Sequence, residues 1–288
     1  MIEENRLTII QAIEKSAVFL DKYKIDKPKN DAEWIIAHVL GCGRLDLYLK
    51  YGEFIPADKI LALRELIVQR AKRVPLQYLL KEVEFAGIRI KVDKRALIPR
   101  PETELLVEYI CHRLGKDFSG KIADLGTGTG AIILALCNQF KKTVGFGFDK
   151  FECAISLFKE NILQNNLEDR VKALQFDWSK DDFTQHEYQL IVSNPPYLSQ
   201  DEWERTEPEV KENEPINALI SEKNGFADIE KIIGIAKKNL PIGGILSLEI
   251  GVGQSEQVKS ALADKFEVDI IKDYHKLNRF VIAQKLKS

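Results

Sequence analysis

Two short stretches of the chain carry residue types that could do chemistry. One is Asp124-Leu125-Gly126-Thr127-Gly128-Thr129-Gly130-Ala131, which follows an apolar run and leads into the helical pattern Ile132, Ile133, Leu136. Glycines at a strand-to-helix turn let the backbone approach a ligand closely, and the helix N-terminus offers unpaired N–H groups. Gly126-x-Gly128-x-x-Ala131 also fits the dinucleotide fingerprint, in the strand–turn–helix setting which that fingerprint requires. Asp149 ends the next apolar run, about 20 residues on, where a carboxylate can accept hydrogen bonds from both ribose hydroxyls. These spacings point to an adenosine-containing ligand.

The other stretch is Ser193-Asn194-Pro195-Pro196-Tyr197, which stops the apolar run Gln189-Leu190-Ile191-Val192. Prolines hold φ at about −65° and supply no N–H, so neither a ladder nor a helix continues. Pro195 also pushes Asn194 out of the helical region. The result is a stiff tip at the carboxyl end of a strand, where open α/β sheets bind ligands. It carries an amide side chain, backbone carbonyls and an aromatic ring. Taken alone, Asn-Pro is equally a plain turn. The glycine loop and Asp149 nearby favour a site.

Two ligands fit the glycine loop so far. A pyrophosphate needs the helix dipole and free N–H groups, whereas the amino-acid end of S-adenosylmethionine needs partners for an ammonium and a carboxylate. Asp124, just before the glycines, is an acceptor placed for the ammonium. The Asn194 tip would then lie where the methyl group points, and dinucleotide enzymes require no such tip. A third run ends in Phe176-Asp177-Trp178, placed to border the adenine. On this reading the expected cofactor contacts are Asp124, Gly126, Thr127, Gly128, Thr129, Gly130, Asp149, Asp177 and Trp178.

These residues need elements to position them. Residues 1–82 show helical periodicity and read as a small bundle. Leu7, Ile10, Ile13 and Val18-Phe19-Leu20 mark one helix. Asp31 reads as the cap of a second, with Trp34, Ile35, His38 and Val39 inward and Gly41-Cys42-Gly43 as its stop. His38 is expected in the core, and Arg70-Ala71-Lys72-Arg73 as a solvated helix end. Residues 83–100 read as a β-hairpin linker. Residues 101–288 alternate strand-like runs with helical ones, which argues for a parallel sheet with helices on both faces. The runs are Ile122–Leu125, Thr143–Phe148, Val171–Phe176, Leu190–Ser193, Gly244–Glu249, Phe266–Asp273 and Arg279–Ala283. Only a short polar turn separates the last two, so the last of seven strands should run antiparallel.

A net charge of −2 builds in no attraction to nucleic acid. No apolar run reaches the ~18 residues of a membrane span. Met1-Ile2-Glu3-Glu4-Asn5 lacks a signal-peptide layout. Cys42, Cys111, Cys137 and Cys153 are scattered without metal spacing and read as small buried hydrophobes. The expectations are a cytoplasmic monomer with no metal, no direct nucleic-acid binding and no membrane attachment. His186 and His275 read as surface residues.

Asp124–Gly130 together with Asn194-Pro195-Pro196-Tyr197 resembles the class I methyltransferases that act on planar nitrogens. Further segments resemble the peptide chain release factor glutamine methyltransferases, the HemK/PrmC family. They are Pro75-Leu76-Gln77-Tyr78, Leu97 through Ile98-Pro99-Arg100-Pro101-Glu102-Thr103-Glu104, Glu214-Pro215-x-x-Ala218-Leu219, Gly225-Phe226-Ala227-Asp228, and Asp273-Tyr274 with Arg279. The likeness covers nearly the whole chain. It implies a Rossmann-like α/β domain and methyl transfer from S-adenosylmethionine to the glutamine amide N5 in the Gly-Gly-Gln loop of class 1 peptide chain release factors. It implies acceptor contacts at Asn194, Pro195, Pro196, Tyr197 and Arg100, with Asn194 also a cofactor contact close to the methyl donor, and an N-terminal domain that grips the release factor. Asn194 Oδ1 and the Pro195 carbonyl would take the two amide N–H groups, with Tyr197 flat on the amide. His275-Lys276-Leu277-Asn278 departs from the family's turn before the final arginine.

Three other readings use part of this pattern. An adenine-N6 DNA or RNA methyltransferase would apply the same tip to a flipped base. It should carry a basic groove or a recognition insertion, and neither is evident. A dinucleotide-binding oxidoreductase leaves the tip without a purpose. A non-enzymatic adaptor would not need the intact loop, Asp149 and tip together.

Overall fold

The computed structural model describes residues 7–178, 180, 181, 183 and 187–287. His186 and the Met1–Asn5 stretch lie outside the described residues. The chain divides into two compact units.

The first unit runs up to Lys81 and takes in Glu207–Asn213. Its main helices are Ile9–Lys22, Pro28–Leu40 and Ile60–Ala71. Thr8 opens the first with a capping box: its hydroxyl accepts the Gln11 N–H at 3.4 Å and its own N–H donates to Gln11 Oε1 at 3.1 Å. Gly41, at φ +70°, closes the second. Ile13, Leu20, Ile35, Ile36 and Leu47 are fully buried in the core, each worth about 1.5–3 kcal/mol of burial.

Several local expectations are corrected here. The second helix starts at Pro28, so Asp31 is not its cap. Asp31 is buried and accepts from Arg70 Nε at 2.7 Å. The inward stripe is Ala32, Ile35 and Ile36, while Trp34 and His38, one turn apart, face solvent. Trp34 is held there by the Arg44 guanidinium 5.4 Å above its ring. Arg70 and Arg73 are not a solvated helix end either. Both donate to Glu209, at 3.0 and 3.1 Å, which ties the helix Pro208–Asn213 into this unit.

The second unit holds the hairpin β1 (Glu82–Phe85) and β2 (Ile88–Lys91) and a seven-stranded sheet. The hairpin turns at Ala86 and Gly87, at φ +46° and +79°. The sheet strands are β3 (Ser119–Leu125), β4 (Lys142–Asp149), β5 (Val171–Gln175), β6 (Leu190–Ser193), β7 (Ile245–Glu249), β8 (Phe266–Lys272) and β9 (Asn278–Lys285). They lie in the order β5-β4-β3-β6-β7-β9-β8. The first five are parallel; β9 is antiparallel to both neighbours. Strand order reverses between β3 and β6, so the crevice for a ligand opens at their carboxyl ends. Those ends are the glycine turn and the Asn194 tip. On one face of the sheet Phe146, Phe148, Phe176, Phe183 and Tyr188 form an aromatic cluster beneath that crevice.

Candidate active site

The glycine turn is built from conformations that side chains resist. Gly126, Gly128 and Gly130 have φ of +74°, +56° and +82°. The turn folds back on the sheet: the N–H groups of Gly126 and Thr127 both donate to the Phe148 carbonyl at 2.8 Å. Gly128 N–H donates to Asp149 Oδ2 at 3.0 Å and Gly130 N–H to the Thr127 carbonyl at 2.8 Å. Four amides that could have cradled a pyrophosphate are therefore already bonded within the protein. Two carboxylates stand behind them. This donor set suits a cation better than a polyphosphate.

Asp149 ends β4 and lines the cavity. Its Oδ2 takes Gly128 and its Oδ1 takes the Phe151 N–H at 3.0 Å, so each oxygen keeps a lone pair for a hydroxyl. Burial raises its pKa, against these amides and Lys150. Asp124 sits deeper: it is fully buried beneath the turn and does not line the cavity. Its Oδ2 accepts the Thr127 hydroxyl at 2.7 Å. Its Oδ1 accepts no well-formed hydrogen bond among the described residues. Burial pushes its pKa up to about 7; the Thr127 hydroxyl and the Ile133 amide oppose, and Asp149 adds to the rise. An ammonium would reach Asp124 through Thr127, which is on the cavity wall.

The cavity has a volume of about 250 Å³. Trp178 forms part of its wall, with its indole N–H donated to Asp228 Oδ1 at 2.9 Å. Asp228 is fixed in turn by the Ser221 hydroxyl at 2.6 Å. The indole lies over Gly126, where a Cβ would approach its Cη2 to 3.3 Å. Asp177 is not on the wall; its backbone N–H donates to Asp181. Cys153, expected to be buried, is exposed and lines the cavity. The wall therefore offers a hydroxyl-binding carboxylate, an aromatic face and a glycine turn without Cβ atoms, a set that fits S-adenosylmethionine.

The tip also borders the cavity. Asn194 and Pro196 line it; Pro195 and Tyr197 do not. Asn194 Nδ2 donates to Thr103 Oγ1 at 3.3 Å. Asn194 Oδ1 and the Pro195 carbonyl accept no hydrogen bond from the described residues. Tyr197 is turned away from the cavity wall. Its hydroxyl donates to Glu249 Oε1 at 3.1 Å and accepts from Arg279 at 2.8 Å, and the Arg279 guanidinium lies 5.1 Å from its ring centre. Burial raises the Tyr197 pKa, with Glu249 adding to it and Arg279 opposing. Gly225 packs against the Tyr197 carbonyl, which a Cβ would approach to 2.0 Å. Arg100 lines the cavity with its guanidinium bound to Glu214 Oε1 at 2.6 Å; Glu214 Oε2 also takes the Ile98 N–H at 3.2 Å.

Thr103, Glu214, Asp228, Glu249 and Arg279 had no assigned role in the sequence reading. One signal was available: Glu249 is a carboxylate ending the largely apolar run Ile245–Glu249, which pairs with the tip's strand. Among the described residues no group of His, Cys, Asp and Glu is arranged to hold a metal, and no helix is long and apolar enough to cross a membrane.

Residues 101–213 match the family model of the methyltransferase small domain, and residues 11–80 match that of the PrmC N-terminal domain. The solved hMettl16 catalytic domain in complex with MAT2A 3′UTR hairpin 1 superposes with a TM-score of 0.56 at 18% identity, over 82% of this chain and 84% of that one. Sheet order and match together define a Rossmann-like methyltransferase fold with an added helical N-terminal region. Release factor glutamine methyltransferases of Fusobacterium nucleatum subsp. nucleatum and Thermodesulfovibrio yellowstonii are 38% and 36% identical to it. The matches span 98% and 97% of this chain and 79% and 100% of those relatives. The chain belongs to the release factor glutamine methyltransferase family.

Proposed function

We propose that this chain transfers a methyl group from S-adenosylmethionine to the side-chain amide N5 of the glutamine in the Gly-Gly-Gln loop of class 1 peptide chain release factors. The observation that carries this reading is the Asn194 amide. With Nδ2 turned to Thr103, the Asn194 oxygen is left as an acceptor, and together with the Pro195 carbonyl behind the wall it would take the two N–H groups of a primary amide. Thr127, Gly128, Asp149 and Trp178 would hold the cofactor from the cavity wall, with Asp124 acting from beneath Thr127. When bound, S-adenosylmethionine supplies a methyl group on a positively charged sulfur.

An amide nitrogen is a poor nucleophile because its lone pair is delocalised. Two fixed acceptors hold the nitrogen and aim that lone pair, and alignment of two bound reactants can supply up to ~7–11 kcal/mol. Tyr197 contributes by fixing the tip through Glu249 and Arg279. The nitrogen would gain the methyl as the S–CH₃ bond breaks, with S-adenosylhomocysteine as the leaving group, and one N–H proton would pass to water after transfer. No general base is assigned, because the donor is already activated. The N-terminal unit would grip the release factor, and the protein would act in the cytoplasm as a monomer without binding nucleic acid.

The test is labelled S-adenosylmethionine with purified release factor, the same factor lacking its Gly-Gly-Gln glutamine, DNA and tRNA. Label on the intact factor alone is expected; label on DNA or tRNA alone overturns the reading. Asn194→Ala should lower turnover well over tenfold, more than about 1.4 kcal/mol, with cofactor affinity much less affected.

A further inference from the structure

We propose that Thr103 and Glu249 are positioning residues that set which way the Asn194 amide faces, so that its oxygen rather than its NH₂ is offered to the acceptor. The inference rests on the methyl-transfer reading above and assigns a purpose to residues outside the glycine loop and the tip.

The logic is proton counting. Glu249 ends β7 and is 1% exposed. Its Oε2 lies 2.6 Å from Thr103 Oγ1. A carboxylate has no proton to give, so the Thr103 hydroxyl donates its single proton to Glu249. Toward Asn194, Thr103 then presents only a lone pair. Asn194 must answer with Nδ2, at 3.3 Å. The flipped amide would set two acceptors against each other in a part-buried place, losing the bond to Thr103 and adding lone-pair repulsion. Nδ2 toward Thr103 leaves Oδ1 for the other side.

The far end of the chain is anchored too. Glu249 Oε1 takes the Tyr197 hydroxyl at 3.1 Å and faces Arg279 at 3.5 Å. Burial raises the Glu249 pKa; the Thr103 hydroxyl, Arg279 and Tyr197 oppose that rise and favour the carboxylate as an acceptor. Both ends of the tip, Asn194 and Tyr197, are referenced to one side chain. A purely structural tie between the helix Pro101–Leu114 and β7 would need Thr103 and Glu249 but would be indifferent to the Asn194 flip.

The experiment compares the full-length wild type with Thr103→Val and Thr103→Ser. Valine keeps the shape and removes the hydroxyl; serine keeps the hydroxyl. Turnover on purified release factor should fall about tenfold or more in Thr103→Val, with the S-adenosylmethionine Kd within about twofold of wild type, and Thr103→Ser should recover most of it. In parallel, the Asn194 side-chain NH₂ resonances should move in Thr103→Val and stay near their wild-type positions in Thr103→Ser. Thr103→Val with wild-type turnover, or with unmoved Asn194 resonances, overturns the proposal. If wild type binds the cofactor but leaves the release factor unlabelled, the methyl-transfer reading fails, and the resonances alone decide the orientation.

Discussion

Gly128 donates its backbone N–H to Asp149 Oδ2 across 3.0 Å, so the glycine turn and the end of β4 are one object. In the proposed reading the same carboxylate binds the ribose. Asp149→Ala is expected to weaken S-adenosylmethionine binding about 30-fold, from roughly 2 kcal/mol of charged hydrogen bonding. Asp149→Asn should rescue little. Both oxygens already accept backbone N–H groups, and an amide replaces one acceptor with a donor. Calorimetric titration of both variants checks this.

Gly130 and Gly128 should respond differently to alanine. A Cβ on Gly130 would stand 2.0 Å from Phe158 Cδ2, at a φ of +82°. Gly130→Ala should cost about 2–4 kcal/mol in urea unfolding, from ring overlap and backbone strain together. On Gly128 the nearest atom is Ala96 Cβ at 3.8 Å, so only the backbone term remains, about 1 kcal/mol. Equal losses would contradict the packing argument.

Arg100 has a stability role that is separable from any contact with substrate. Glu214 is 1% exposed at its side chain and pairs with Arg100 and one amide. Arg100→Ala strands that carboxylate and should cost about 2 kcal/mol or more. Adding Glu214→Gln should return at least half of the loss, since no buried charge is then left alone. Thermal unfolding of the single and double variants measures it.

Asp124 makes stability pH-dependent. Its folded pKa of about 7 lies above the ordinary 3.8. Between those values the folded chain holds a proton that the unfolded chain has lost. Its contribution is therefore full below about pH 4 and is lost as pH rises through 7. Relative to Asp124→Asn, wild type should gain up to about 4 kcal/mol of unfolding free energy on going from pH 8 to pH 4. A difference that stays constant across that range would refute it.

The sheet was legible because its central strands are buried on both faces and read as apolar runs. β6, Leu190–Ser193, matches its run residue for residue. The glycine turn and Asp149 were legible because they are close in sequence and their types are dictated by backbone shape. The helix Pro28–Leu40 was misread in part because Trp34 and His38 share a face one turn apart, as core residues do. Only tertiary packing turns that face outward. Arg70 and Arg73 were misread for a similar reason: nothing near them in sequence announces Glu209. Thr103, Glu249 and Arg279 are single polar residues on separate elements, and no local pattern links them.

That separation bears on the order in which the protein assembles. Gly128 and Asp149 meet across 21 residues, whereas Asn194 meets Thr103 across 91 and Thr103 meets Glu249 across 146. Short loops close before long ones. A refolding chain should therefore regain its cofactor half while the tip is still loose, and become competent for transfer only when the antiparallel β9 slots between β7 and β8 and brings Arg279 to Tyr197.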